Sequence, residues 1–256
     1  MYLQCFFART PHKNLLLHSE YVIMKVGSRE CSCLKTVSGN VLEERSSIMT
    51  KLVCFDLDDT LTQEIHSVML LCMLHGKLEQ LLEIEKLESN GTLQWIESDY
   101  QKAALIKGLP VETLHEGFIK ILKPLHNIRQ TIHCLKERDI RSVIITAGPV
   151  QVADVAKYLW GFDASYGSNY EVLDGVFTGK ILEHIGDKGK ISCLQHYCRI
   201  NKLLPNECIA VGDGSTDIPL FEYCDTSIAI NASEGARQKA TFSIQTNDIS
   251  DILQFI

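Results

Sequence analysis

With 256 residues, 45% of them hydrophobic, and a mean hydropathy near zero, the chain is long enough to bury a substantial core. Its formal net charge of -7 argues against a general nucleic-acid binder and suits a small charged substrate. No apolar stretch is long enough to span a membrane, so no membrane partner is expected. The ten cysteines read as reduced core thiols of a cytoplasmic protein, with Cys54, Cys134, Cys193 and Cys208 in apolar surroundings. No paired spacing among the nine histidines suggests zinc.

In chain order, residues 1–48 show no clear periodicity and precede Met49-Thr50-Lys51, a natural start for a chain whose first strand follows at once. They are expected to form a poorly ordered or weakly packed extension. Up to Ser19 this segment carries Arg9 and Lys13 without an acidic residue, a faint transit-peptide character that leaves organelle import as an alternative to the cytoplasm. Cys31 and Cys33 form a C-x-C pair, but two ligands alone do not make a metal site.

The run Val53-Cys54-Phe55-Asp56-Leu57-Asp58-Asp59-Thr60-Leu61-Thr62 carries an apolar strand into a cluster of carboxylates and hydroxyls ahead of a helix expected near Gln63. Side chains repeat every second residue along a strand, which starts Asp56 and Asp58 on one face. Two carboxylates that close repel unless a cation lies between them, and Mg²⁺ takes such oxygen ligands. An acidic helix cap is the plainer alternative for this run by itself.

From Glu64 to Lys123 the pattern turns helical. Val68, Leu70, Leu71, Leu74, Leu78, Leu81 and Leu82 recur at helical spacing in a first helix, and Leu93, Ile96, Ala103, Ala104 and Ile106 in a second. Asn90-Gly91 separates the two and Gly108-Leu109-Pro110 ends the second. A helix at 127–138, a strand at 141–146 and a helix at 149–160 follow in a βαβ rhythm, and Tyr170 to Gly179 reads as a hairpin turning at Asp174-Gly175. A helix at 190–199, a strand ending at Val211 and short strands at 227–230 and 242–244 complete the α/β sheet, with right-handed crossovers expected.

Three further segments gather polar chemistry at strand ends, where an open parallel sheet binds its ligand. Ser142-Val143-Ile144-Ile145-Thr146-Ala147-Gly148 ends a strand in a hydroxyl; Gly186-Asp187-Lys188-Gly189-Lys190 offers two lysines before a helix; Ile209-Ala210-Val211-Gly212-Asp213-Gly214-Ser215-Thr216-Asp217 runs into glycines and paired carboxylates. A dinucleotide fingerprint and a P-loop both fail on spacing.

These four segments, in this order, resemble the four motifs of the haloacid dehalogenase superfamily. From Met49 to the C-terminus the chain is most similar to the phosphoserine phosphatase branch, through Gly91-Thr92-Leu93-Gln94-Trp95, Leu105-Ile106-Lys107-Gly108-Leu109-Pro110 and the step Asp187-Lys188-Gly189. The resemblance implies a Rossmann-like parallel sheet with helices on both faces at 49–63 and 124–256, and a helical cap at 64–123. It implies a phosphomonoesterase acting on a small phosphorylated metabolite, with Asp56 as nucleophile and Asp58 as acid and base. Mg²⁺ would be held by Asp56, Asp213 and the Asp58 carbonyl, with Asp217 orienting bound water or the lysine. Thr146, Ala147, Gly148 and Lys188, chosen over Lys190, would hold the phosphoryl oxygens.

The cap would contribute Trp95 to the substrate pocket. Lys102 stands where the branch has an arginine for the substrate carboxylate, Glu64 lies one residue before its amino-group reader, and Thr216 replaces an asparagine beside the phosphate. Another phosphomonoester, a phosphotransferase using the same aspartyl-phosphate, and a non-catalytic protein on this fold remain alternatives. The sequence does not choose between monomer and homodimer.

Overall fold

The computed structural model describes residues 49–256 and two short strands nearer the N-terminus. Those two, β1 (Met24–Val26) and β2 (Arg29–Cys31), pair antiparallel. The transit-peptide character and the Cys31–Cys33 pair lie outside the described residues.

The most apolar strand of the chain sits in the middle of the main sheet. β3 (Leu52–Phe55) is buried at all four residues, as a strand covered on both faces must be. Val53 and Phe55 face one core with Ile144 and Val211, while Leu52 and Cys54 face the other with Val143 and Ala210. β6 (Arg141–Pro149) and β9 (Cys208–Gly212) flank β3, both parallel to it. β10 (Thr226–Ile230) and β11 (Phe242–Ile244) extend the parallel sheet beyond β9. On the other side β7 (Ala164–Leu173) pairs parallel with β6, and β8 (Val176–Glu183) closes that edge antiparallel. The strand order is β11-β10-β9-β3-β6-β7-β8. Asp174 and Gly175 turn the β7–β8 hairpin with φ of 50° and 78°, the positive pair a two-residue hairpin needs.

Between β3 and β6 lies a helical excursion with a paired neck. β4 (Thr62–Gln63) and β5 (Lys123–Pro124) form a two-residue antiparallel ladder, so the helix expected near Gln63 begins only at Ser67. Four helices follow rather than two: α1 (Ser67–Leu74), α2 (Leu78–Ser89), α3 (Trp95–Leu105) and α4 (Thr113–Ile121). The leucine stripe is interrupted at Gly76, whose φ of 67° no right-handed helix accommodates. α4 closes on α1 at Gly117, where an added Cβ would fall 2.6 Å from the Leu74 Cδ1 atom.

The remaining helices are α5 (Ile128–Glu137), α6 (Val150–Trp160), α7 (Gly186–Asn201), α8 (Ile218–Tyr223) and α9 (Glu234–Lys239). α7 begins at Gly186, four residues earlier than its apolar pattern suggests. That shift places Lys190 one turn inside the helix.

Candidate active site

The carboxyl ends of β3 and β9 place three carboxylates together. Asp56 follows the last residue of β3, with its N–H donating to the Val211 carbonyl at 2.9 Å. Asp213 follows β9, and Asp217 lies in the 3₁₀ turn Ser215–Asp217 just beyond it. Oxygens of all three lie within 4.8 Å of one another, a set able to hold a metal ion. Asp217 Oδ2 is fixed by the backbone N–H groups of Asp213 at 3.0 Å and Gly214 at 3.1 Å. Gly212 is dictated by this packing, because a Cβ there would stand 2.3 Å from Asp217 Cγ. Thr60 donates its hydroxyl to Asp213 Oδ1 at 2.9 Å.

One buried cation faces this set. Lys190 Nζ lies 2.8 Å from Asp56 Oδ1 and 2.8 Å from Asp217 Oδ1, with 1% of its side chain exposed. It sits one turn inside α7, whose early start turns it toward the sheet. The side chain of Lys188, preferred on resemblance, lies outside the described residues.

One ammonium does not neutralise three carboxylates. Burial, reinforced by the charges of Asp217 and Asp213, pushes Asp56 well above its usual range despite Lys190. Burial, then the charge of Asp217, pushes Asp213 up to about 7. Burial would lower Lys190, but Asp217 and Asp56 outweigh it and hold the ammonium above its ordinary value. A hard divalent cation would favour the ionised forms of the three carboxylates, and the oxygen-only donor set suits one.

Asp58 stands apart from this triad. Its two oxygens accept from the Ser67 N–H at 2.7 Å and the Ser67 hydroxyl at 2.5 Å, at the first turn of α1. Burial raises its carboxyl, while the nearby His66 charge and the Ser67 bonds oppose that rise. His66 caps α1 by accepting the Met69 N–H on Nδ1 at 3.2 Å, and its Nε2 lies 2.7 Å from Glu85.

The third wall is the end of β6. Thr146 is buried, and its hydroxyl accepts the Gly148 N–H at 3.0 Å. A Cβ on Gly148 would come 2.3 Å from Ser67 Oγ and 3.0 Å from Asp58 Oδ2, so only glycine lets this loop approach Asp58. Ser168 donates to the Ala147 carbonyl at 2.7 Å and accepts from the Ile185 N–H at 3.1 Å, tying the β6 end to the start of α7.

The cap-side expectations fare differently. Glu64 is exposed and pairs with Lys123 across the β4–β5 neck, so the structure does not bring it to the carboxylates. Lys102 is buried but pairs internally, 2.7 Å from Glu88 and 3.6 Å from Asp99. Trp95 sets its ring 5.2 Å from that of His184. Thr216 lies half-buried in the 3₁₀ turn with Asp217. Thr60 belongs to the first carboxylate run without a role read for it, and Ser67, His66 and Glu85 went unread; Ser67, next to a helix cap, left a weak signal and the last two left none.

Residues 53–222 match the family described as haloacid dehalogenase-like hydrolase. The chain belongs to that family. Among its relatives, the phosphoserine phosphatase of Methanocaldococcus jannaschii is 28% identical over 207 residues, covering 80% of this chain and 97% of its own. That of Campylobacter jejuni subsp. doylei is 29% identical over 213 residues, covering 81% of this chain and 100% of its own. A solved phospho-aspartyl intermediate analogue of phosphoserine phosphatase superposes with a TM-score of 0.69 at 28% identity, over 81% of this chain and 99% of that one. In this haloacid dehalogenase-like hydrolase, therefore, the carboxylates crowd the position where Asp56 ends the central strand.

Proposed function

We propose that the chain hydrolyses a small phosphomonoester through a phosphorylated Asp56, with Mg²⁺ held by Asp56, Asp213, the Asp58 carbonyl and, through its orienting role, Asp217. The observation that carries this reading is the triad of buried Asp56 and Asp217 with half-buried Asp213, facing Lys190 at the strand ends. When bound, the cation would neutralise the charge that keeps an anionic ester away from an anionic nucleophile.

Asp56 attacks phosphorus in line; the new Asp56 oxygen–phosphorus bond replaces the ester bond as that breaks. Asp58 gives its proton to the departing oxygen. Its raised affinity for protons favours that form, and the two Ser67 bonds fix its direction. Asp58 then takes a proton from the water that attacks the phosphorylated Asp56, releasing phosphate and restoring the carboxylate. Thr146, the backbone around Ala147 and Gly148, and Lys190 hold the equatorial oxygens, where positioning and charge do most of the work. Lys190 takes the role that resemblance assigns to Lys188, because its ammonium already touches Asp56.

The helical excursion at 64–123 serves as the cap that excludes water over the site. The described cysteines are free thiols, and Cys198 and Cys208 keep their sulfurs 3.5 Å apart unbonded, which supports a reducing, cytoplasmic setting. No helix among the described residues is long and apolar enough to cross a membrane.

The test is phosphate release from a panel of phosphomonoesters, with Mg²⁺ and with chelator, by wild type and Asp56→Asn. Metal-dependent release lost in the variant by a factor on the order of 10⁴ or more is expected. Full activity in Asp56→Asn sinks the covalent scheme.

A further inference from the structure

The phosphatase reading leaves one charged network without a role. In α3, Lys102 gives its ammonium to Glu88 at 2.7 Å and to Asp99 at 3.6 Å. Ser98 donates to the same Glu88 oxygen at 2.6 Å, and His184, at the end of β8, sets Nε2 2.9 Å from Asp99 Oδ2. Toward this carboxylate Nε2 is the donor. The Nδ1 atom of His184 is buried with no partner, on a ring side chain 6% exposed. Glu85, paired with His66, adds a third carboxylate nearby; its charge and that of Lys102 both act on His66.

This network adjoins the Asp58 side of the site. His66, paired with Glu85, precedes Ser67, which bonds Asp58, and His184 precedes Ile185, whose N–H bonds Ser168 and through it the Ala147 carbonyl. A group leaving with a proton from Asp58 departs beside it.

Its charge balance is the informative feature. Lys102 is shared between two carboxylates, Glu88 and Asp99, while the third, Glu85, is met by His66. A substrate carboxylate would have to displace Glu88 or Asp99 from Lys102, stranding a partly buried anion among like charges. An incoming ammonium meets the opposite situation. Asp99 meets His184 through Oδ2 at 2.9 Å but reaches Lys102 through Oδ1 only at 3.6 Å, so Oδ1 keeps room for a closer donor.

Resting on the phosphatase reading, we propose that the substrate is the phosphomonoester of an amino alcohol, with an ammonium and no carboxylate on the leaving group, and that Asp99 is the residue that selects it.

The probes are O-phosphoethanolamine, propyl phosphate, which puts a methyl in place of the ammonium, and O-phosphoserine, which adds a carboxylate. Binding to Asp56→Asn with Mg²⁺ is measured by calorimetry, and kcat/KM is measured on the wild type. Phosphoethanolamine is expected to bind at least about tenfold more tightly than either other ester, the scale of one favourable charge contact. In an Asp56→Asn, Asp99→Asn double variant the margin over propyl phosphate should collapse toward one. Equal binding of phosphoethanolamine and propyl phosphate, tightest binding of phosphoserine, or no binding of phosphoethanolamine overturns the proposal. The first comparison leaves the network intact, so it decides even where the double variant does not fold. If the expected order holds but the wild type turns over none of the esters, the phosphatase reading fails and the selectivity stands. If all three turn over with equal kcat/KM and bind equally, the reverse is true.

Discussion

The floor of the site and the helices over it obey different rules. On the floor, single atoms decide residue identity: no side chain fits at Gly212 beside Asp217 or at Gly148 beside Ser67 and Asp58. In α1–α4 the buried positions answer to a periodic apolar pattern, which many sequences satisfy, and polar groups form a network of their own around Lys102. The residues assigned the proposed chemistry lie where geometry leaves no choice, and the proposed selector, Asp99, lies where choice remains.

The sharpest way to break this contrast is Lys190→Met. It removes the only ammonium bridging Asp56 and Asp217 among the described ion pairs, so turnover should fall by about 10² to 10³. Urea unfolding of the metal-free variant should also show a loss of about 3–5 kcal/mol, as for any buried pair stripped of one partner. Wild-type turnover would move the role to another residue, Lys188 first.

Gly212→Ala comes next. Its Cβ would overlap Asp217, so stability should fall by about 1–3 kcal/mol and kcat should fall with it, measured by thermal melting and phosphate release. An unchanged melting temperature would show the turn to be more forgiving than the floor rule allows.

A gentler probe is pH. Asp213 binds its proton up to about 7 in the folded chain against an ordinary value of 3.8, so between these limits the native state holds more protons than the unfolded one. Its contribution is therefore present below pH 4 and is lost as pH rises toward 7. Metal-free protein should lose melting temperature over that window from this group, and added Mg²⁺ should raise it more at pH 7.5 than at pH 5, because cation and proton compete for the same oxygens. A gain from Mg²⁺ independent of pH would count against metal at this triad.

The smallest effect is expected at Glu64→Gln. The residue is exposed and pairs only with Lys123 among its described contacts, so stability should change by less than about 1 kcal/mol and kcat/KM by less than about threefold. A large loss of kcat/KM would place Glu64 in the substrate pocket after all.

The same contrast governs what the sequence discloses. Asp56, Asp58 and Asp213 announce themselves because charge at the end of an apolar strand has no packing motive, whereas Asp217 also reads as a helix cap; Asp174-Gly175 announces its turn because both positions need positive φ. The break at Gly76 stayed hidden because leucines continue at helical spacing on either side of it. The contact of Lys190 with Asp56 depends on where α7 begins, and polar residues in its first turn mask that start. The Lys102 network was illegible for another reason: Glu88, Asp99 and His184 come from three separate elements, and only the packing of α2, α3 and β8 brings them together.

The neck built from Thr62–Gln63 and Lys123–Pro124 has a consequence for protein engineering. The chain leaves the sheet and returns to it at hydrogen-bonded neighbours, with the Leu125 N–H reaching back to the Leu61 carbonyl at 2.9 Å. An excursion whose two ends already touch can be exchanged without moving its attachment points, but a graft over residues 64–122 must keep Ser67, which holds Asp58, and the bonds that Gly108, Leu109 and Val111 make with the β7–β8 hairpin.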